Sequence, residues 1–248
     1  MKIGVCIPAF NEAAGITATL RALQAQSDRD FQVFVCDNAS TDATARVVND
    51  FIAQQGLDWQ LVTESQKGTG AAADTAMRAA AANGCDLLAR TDADAIPAVD
   101  WVATIRRSFG RGHAEMISGV TVPIRTEVSL GYYWVLRFAS LLASVFGALR
   151  ATNYGAGKRG IYVMTNGNNL AITATAYLTV GGFARTRIEE LHEDRALVNA
   201  VRSAGLRVCR VRAMRVAVSS RRVKAWGLLN SLRWYRSHHR PTADVDIR

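Results

Sequence analysis

The stretch DLLARTDAD, residues 86–94, places a short apolar run directly before a polar end with two carboxylates. The same order occurs three times earlier, in IGVCIPAFNE at 3–12, FQVFVCDNASTD at 31–42 and WQLVTES at 59–65. Longer Ala- and Leu-rich patterns of helical periodicity separate the four runs. This alternation predicts an α/β fold with a mostly parallel central sheet and helices on both faces.

The polar ends of these runs form the candidate site, because ligands of such sheets bind beyond the carboxyl ends of the strands. They comprise residues 8–12, 37–42, 64–70 and 91–94. Ser40, Thr41 or Asp42 is well suited to cap the next helix, but capping does not need Asp37. We expect the Asp37 carboxylate to accept hydrogen bonds from a base N–H or a ribose hydroxyl.

The composition fits one compact domain: 248 residues, 49 % hydrophobic, with four prolines. A chain of this length buries a full core without metal or disulfide support. The four cysteines are scattered, with no CxxC pair and no zinc-site spacing, so we expect reduced, buried thiols in a cytoplasmic protein. They are Cys6, Cys36, Cys85 and Cys209.

The net charge of +9 is unevenly distributed along the chain. Arg202 to Arg240 holds eleven Lys or Arg and no Asp or Glu, whereas residues 1–201 hold eighteen against nineteen. This segment suits a polyphosphate, a nucleic acid or an anionic membrane surface, with solvated surface charge as the plain alternative. Arg221 and Arg222 lie within it, and a planar guanidinium group binds two phosphate oxygens at once, in a bidentate manner.

The longest apolar stretch, Leu130 to Leu149, is interrupted by Arg137. Its uninterrupted part is shorter than the roughly 20 residues that a spanning helix needs. Two interpretations stay open. One is a buried or half-buried helix. The other is an interfacial helix, because three aromatic residues at 132–134 lead into the run and a basic pair follows at 158–159.

Asp92 and Asp94 lie two residues apart after the fourth run. In extended backbone such side chains face the same side, so both carboxylates can bind one divalent cation. The commoner meaning of a D-x-D pattern is a capped turn. The expected location at the carboxyl end of a parallel strand favours Mg²⁺ or Mn²⁺.

A second acidic pair, Glu193 and Asp194, opens a helix that ends near Gly205. The helix dipole favours acids in a first turn, which is a purely structural explanation. If one of them faces the cleft, it can instead act as a general base toward a hydroxyl group.

Gly68, Gly70 and Ala73 form a GxGxxA pattern before a helix, which is weak support for a dinucleotide fingerprint. In dinucleotide-binding folds the glycines closely follow the first strand. Here the first strand end carries PAFNE instead.

Together the motifs resemble those of the inverting family 2 glycosyltransferases, which have a GT-A fold. The similar segments, in the family's order, are IPAFNE, VCDNASTDAT, GTGAAADTAMRAA, RTDADA, TNGNNLAI, GGF and EDRALVNAVRSAGLRV. They extend from residue 3 to about 211. Each is individually loose, whereas the ordered set is specific.

The resemblance implies roles for residues at the strand ends. The nucleotide would be held by Pro8, Ala9, Asn11, Glu12, Asp37, Asn38, Gly68 and Asp92. Asp92 and Asp94 would bind the ribose and a divalent metal on the diphosphate. Asp194, with Glu193 as the alternative, would be the catalytic base. The acceptor and donor-sugar pocket would be lined by Thr165, Asn166, Gly167 and Asn168, and we add Arg221 and Arg222 as diphosphate ligands.

We therefore expect metal-dependent, inverting transfer of a sugar from a UDP- or GDP-linked donor to a hydroxyl acceptor, either a saccharide or a lipid-linked one. The single domain would comprise a nucleotide-binding half (1–110), an acceptor and catalytic half (111–215) and a basic carboxyl-terminal helical segment (216–248). We expect a cytoplasmic protein with peripheral contact to the inner membrane face and no nucleic-acid partner.

Two alternatives belong to other classes of protein. One is an NAD(P)-dependent oxidoreductase built on Gly68, Gly70 and Ala73, with Asp92 as the ribose acid. The other is a non-catalytic module that binds RNA or anionic lipid through the segment Arg202 to Arg240.

Overall fold

The computed structural model describes residues 1–112, 114–149, 154, 162–185 and 193–221. The strands are β1 (Ile3–Ala9), β2 (Phe31–Asp37), β3 (Gln60–Thr63), β4 (Leu87–Arg90), β5 (Ala95–Pro97), β6 (Met116–Pro123), β7 (Leu170–Thr173) and β8 (Val208–Val218). The helices are α1 (Ile16–Gln24), α2 (Thr44–Gln55), α3 (Thr69–Ala82), α4 (Trp101–Gly110), α5 (Leu130–Leu149), α6 (Ala174–Thr179) and α7 (Glu193–Ser203), and a short 3₁₀ helix spans Arg125–Glu127.

The eight strands form one sheet in the order β3-β2-β1-β4-β7-β6-β8-β5. The first four are parallel neighbours, and β6 and β8 are also parallel. β7 runs antiparallel to both β4 and β6, and β5 runs antiparallel to β8. The predicted α/β class with a mostly parallel sheet is confirmed.

Three strands, β5, β7 and β8, lie outside the sequence prediction. β5 has three residues and β7 has four, too few for a clear pattern. β8 carries Arg210, Arg212 and Arg215, which gave it the appearance of a basic surface segment. It nevertheless pairs along its length with β6 and brings the basic segment to the sheet.

Helices cover both faces of the sheet, as predicted. Residues of α1, α2 and α4 pack on one face, where Leu20, Phe51 and Trp101 belong to one hydrophobic core. Residues of α3, α6 and α7 pack on the other, where Met77, Tyr177 and Leu197 belong to a second core. Both faces of β1 are therefore dry, which explains its continuous apolar sequence.

Three of the four cysteines are buried free thiols, as expected: Cys6, Cys36 and Cys85. Burial raises the pKa of the Cys36 thiol to about 12. The expectation was wrong for Cys209, which is exposed on β8. The exposed residues of β8 show that solvent reaches much of this strand.

A fully buried Leu130–Leu149 helix is excluded for the side chains that the structure describes, whereas a half-buried helix, with Tyr132, Tyr133 and Leu136 partly covered, fits them. Trp134, Phe138 and Leu141 of α5 are more than half exposed. Among the described residues, no helix combines the length and the apolarity needed to cross a bilayer.

The close packing of β6, β7 and β8 depends on Gly119 and Asn169. The buried Asn169 amide donates to the Val120 and Met214 carbonyls and accepts a hydrogen bond from the Trp101 indole N–H. A Cβ on Gly119 would lie 2.3 Å from the Met214 carbonyl oxygen and 2.4 Å from the Asn169 amide. The absence of a side chain at position 119 thus lets this amide connect three strands and α4.

We predict that Gly119→Ala lowers the free energy of unfolding by about 1–3 kcal/mol, because the backbone must move to admit the methyl group. Urea denaturation measures this change. The matched control is Gly110→Ala at the end of α4, where nothing lies within 4 Å of the added Cβ. Equal unfolding free energies for the two variants would contradict the packing account.

Candidate active site

The carboxyl end of β2 offers a buried acceptor. Asp37 accepts a hydrogen bond from the Ser40 N–H at 3.3 Å through one carboxylate oxygen. Its other oxygen, Oδ1, is buried without a hydrogen-bond partner among the described residues. A buried, unsatisfied carboxylate oxygen costs free energy that a bound ligand recovers. This geometry suits the predicted contact of Asp37 with a nucleoside.

The Asn38 side chain, expected to hold the nucleotide, forms hydrogen bonds with backbone groups of a neighbouring loop. Its amide nitrogen donates to the Glu64 and Gln66 carbonyls at 3.0 and 2.8 Å, and its amide oxygen accepts the Gly68 N–H at 2.8 Å. The side chain is thus committed to the loop between β3 and α3. Asn38 and Gly68 shape the wall of the site through the backbone.

The end of β1 is locked to the turn after β2. Asn11 adopts a left-handed conformation with φ of 52°, and its side-chain oxygen accepts the Thr41 N–H at 2.8 Å. The Asn38 N–H donates to the Ala9 carbonyl at 2.8 Å. Pro8 and Ala9 are buried within the strand. These residues form one rigid rim with Asp37.

Arg221 joins two of the predicted carboxylates. Its guanidinium donates to both oxygens of Glu12 and lies 3.1 Å from Asp94 Oδ2. The pairing of β8 with β5 explains this contact, because it sets Val218 beside Ala95. Arg222, the second predicted diphosphate ligand, lies outside the described residues.

Asp92 and Asp94 lie in a turn, so the expected extended backbone is wrong at this point. The Ala95 N–H donates to the Asp92 carbonyl at 3.2 Å as the chain turns from β4 toward β5. The two carboxylates still influence each other. Burial raises the pKa of Asp94 to about 6, the charge of Asp92 adds to the rise, and Arg221 opposes it.

The residue that connects this turn to α7 is Arg90, which the sequence analysis missed. Its buried guanidinium lies 3.3 Å from Asp92 Oδ1 and 3.3 Å from Glu193 Oε1. It also lies over the Phe183 ring, 5.0 Å from the centroid. An arginine at the end of an apolar, doubly covered strand was the available signal, because a buried cation requires anionic partners.

Glu193 and Asp194 lie at the same charge cluster but differ in their partners. The Glu193 carboxylate is ion-paired with Arg90. Asp194 is half-buried and accepts the N–H groups of Arg195 and Gly167. Burial raises the pKa of Asp194 to about 6, and the charge of Glu193 adds to the rise. The N–H groups of Arg195 and Gly167 and the charge of Arg90 lower the pKa, but by less.

The loop before β7 forms the wall next to Arg90. A Cβ on Gly167 would lie 3.0 Å from the Arg90 guanidinium, so a larger residue at this position would displace that group. Asn168 accepts the Thr121 hydroxyl at 2.9 Å, while Thr165 is buried and donates to the Val163 carbonyl. Asn166 closes the turn by accepting the Asn169 N–H at its carbonyl.

The model of the Glycosyl transferase family 2 family matches residues 4–166, about two thirds of the chain. The chain belongs to this family. Two curated relatives are a chondroitin synthase of Escherichia coli, 30 % identical over 76 residues, and the uncharacterized glycosyltransferase YfnE of Bacillus subtilis, 34 % identical over 104 residues. These matches cover 31 % and 42 % of this chain but only 11 % and 26 % of the relatives.

Solved glycosyltransferases share the fold. The mannosyltransferase PcManGT of Pyrobaculum calidifontis, in complex with GDP-Man and Mn²⁺, has a TM-score of 0.65 at 22 % identity, covering 90 % of this chain and 59 % of that one. S. aureus TarS with UDP-GlcNAc has a TM-score of 0.64 at 15 % identity, covering 89 % and 59 %. Glucosyl-3-phosphoglycerate synthase of Mycobacterium tuberculosis has 0.61 at 19 %, covering 98 % and 82 %. The expected GT-A fold is confirmed.

The GxGxxA pattern of this family 2 chain has a packing explanation. A Cβ on Gly70 would lie 2.2 Å from the Ala184 carbonyl oxygen, so the glycine is required by the neighbouring segment of its own chain. That segment contains Gly182, whose φ of 83° and approach to Asp74 and Tyr177 also exclude a side chain. The glycines therefore do not support the oxidoreductase alternative.

The two acidic residues of the turn provide carboxylate oxygens, the ligand type that a divalent cation prefers. Within the described ranges, no three His, Cys, Asp or Glu side chains are grouped to hold a metal by themselves. Mg²⁺, however, is commonly held by one or two carboxylates together with substrate phosphates. Asp92 and Asp94 provide such hard oxygen ligands, and the mutual charge effect on Asp94 would be relieved by a cation.

We predict that Arg90→Met lowers the free energy of unfolding by about 3–5 kcal/mol at pH 7, because the buried Glu193 and the partly exposed Asp92 carboxylates lose their cation. Urea denaturation at pH 7 measures this change.

The matched control for Arg90 is Arg78→Met. Arg78 pairs with Asp74 but is half-exposed, and Asp74 keeps Arg185 and Tyr177 as partners. We expect a change of about 1 kcal/mol or less for this control. An Arg90→Met variant as stable as Arg78→Met would contradict the structural role of Arg90.

Proposed function

We propose that this family 2 protein transfers a sugar, with inversion, from a UDP- or GDP-linked donor to a hydroxyl acceptor. The observation that carries the proposal is the meeting of carboxylates from distant segments around two arginines. Arg221 joins Glu12 to Asp94, and Arg90 joins Asp92 to the start of α7. Structural neighbours were crystallised with UDP-GlcNAc, GDP-Man or UDP, which supports a nucleotide-sugar donor.

The donor would extend along the rim from β2 toward β5. The unpartnered Asp37 oxygen would accept a hydrogen bond from the nucleoside, and Asp92 and Asp94 would hold Mg²⁺ or Mn²⁺ on the diphosphate. When bound, the metal neutralises charge on the leaving diphosphate. Two neighbours contain Mn²⁺, which supports this assignment.

Asp194 is the better candidate for the base, because Glu193 is engaged in the ion pair with Arg90. Asp194 accepts the proton of the acceptor hydroxyl. The acceptor oxygen then bonds to the anomeric carbon as the bond from that carbon to the diphosphate breaks on the opposite face. Arg221 supplies positive charge next to Asp94, where the departing diphosphate would lie.

The raised pKa of Asp194 predicts opposite effects of pH on activity and stability. The base must be ionised, so kcat/KM should fall as the pH drops below about 6. The folded state holds this proton more tightly than the unfolded chain, whose pKa is near the ordinary 3.8. The stability contributed by protonated Asp194 is complete below that value and is lost as the pH rises through about 6.

We predict that Asp194→Asn lowers turnover by about 10²- to 10⁴-fold, the usual contribution of a positioned base. Its unfolding free energy should exceed that of the wild type at pH 7 and match it near pH 4, since a partly desolvated charge is removed. Donor turnover and urea denaturation measure the two effects, and binding of UDP or GDP should persist.

Asp50→Asn on the exposed surface of α2 serves as the matched control and should change neither quantity. Near-normal turnover of Asp194→Asn would show that another group accepts the proton.

A further inference from the structure

The first thirteen residues of α5 present an apolar face to solvent. Six large hydrophobic side chains there are between 48 % and 63 % exposed: Leu130, Trp134, Val135, Phe138, Leu141 and Leu142. Their spacing places them on one side of the helix, along about 18 Å of its length. A contiguous exposed apolar surface of this kind marks an interaction site. We call these six residues the apolar face of α5.

Positive charge borders this face. The only charged residue of α5 is Arg137, whose guanidinium lies 5.5 Å from the Trp134 ring and 5.9 Å from the Tyr133 ring. The Arg125 guanidinium also lies over the Tyr133 ring, 5.5 Å from its centroid. Aromatic rings and arginines beside an apolar surface are typical of helices that lie in a membrane interface.

The apolar face begins beside the candidate active site. Glu127, just before α5, accepts the Ser220 N–H at 2.7 Å. The next residue, Arg221, contacts Asp94. Whatever covers the apolar face of α5 would therefore lie close to the diphosphate end of the site.

We infer that the apolar face of α5 docks on the surface of a bilayer that contains anionic lipid. The helix would lie along the interface, with Arg125 and Arg137 at the level of the lipid phosphates. Charge complementarity favours this occupant over a second copy of the chain. A twofold contact through α5 would bring these arginines toward each other, and α5 contains no Asp or Glu to pair with them.

Co-sedimentation of the full chain with vesicles tests the inference, which does not depend on the proposed function. We expect binding to vesicles of phosphatidylcholine and phosphatidylglycerol, and weaker binding to phosphatidylcholine alone. The double variant Phe138→Ser/Leu142→Ser should lower the partition coefficient by at least about tenfold, because two large apolar side chains are lost from the contact. Arg137→Glu should lower it by about tenfold on the anionic vesicles.

Matched controls change exposed residues elsewhere: Leu178→Ser on α6, and Arg107→Glu on α4. Both should bind like the wild type. Equal binding of Phe138→Ser/Leu142→Ser and wild type would overturn the inference, as would failure of the wild type to bind. Sedimentation velocity without lipid provides a further test. If the wild type forms a dimer and the double variant does not, the apolar face of α5 binds a second copy, and the inference is overturned. Binding of UDP or GDP by the wild type and the same variants is measured separately. If the wild type binds neither nucleotide, only the proposed function is contradicted.

Discussion

The ion pairs of the buried Arg90 guanidinium connect the two parts of the candidate site. A cation at the end of a strand that is covered on both faces loses its hydration and must be matched by anions. Asp92 and Glu193 provide them, although they are 101 positions apart in the chain. The same contacts place the start of α7 against the turn after β4. The positions of the proposed base and of the proposed metal ligands thus both depend on the Arg90 side chain.

Topology explains how the other charges reach the same edge. The parallel strands β1, β2, β3 and β4 bring their polar ends together, and β8 returns beside β5 to place Arg221 between Glu12 and Asp94. Each of the two arginines therefore lies between carboxylates that come from distant segments of the chain. Such an arrangement keeps several acids close together without a metal, and it leaves Asp94 and Asp194 with raised pKa values where their burial is incompletely compensated.

The sequence was sufficient to predict the sheet class and the strand ends, because continuous apolar runs followed by polar residues report local burial. The same pattern singled out Asp37 at a strand end, whereas Asp194 was proposed from an acidic pair at the start of a helix and from the family resemblance. It could not predict that Asn38 would be consumed by backbone contacts of the β3–α3 loop, nor that Arg90 would pair with α7, since both depend on long-range packing. β8 was missed because its arginines obscured the strand pattern, and the exposure of α5 depends on which neighbours cover a helix.

The most direct test of the central claim is the melting temperature of the chain with UDP or GDP plus Mn²⁺, compared with NADH, in the wild type and in Asp94→Asn. A ligand that binds only the folded state raises this temperature by an amount that grows with the logarithm of its concentration relative to its Kd. The account predicts a rise with UDP or GDP plus Mn²⁺ that is much smaller in Asp94→Asn, and little change with NADH. A larger rise with NADH, or a nucleotide effect that Asp94→Asn leaves intact, would contradict it.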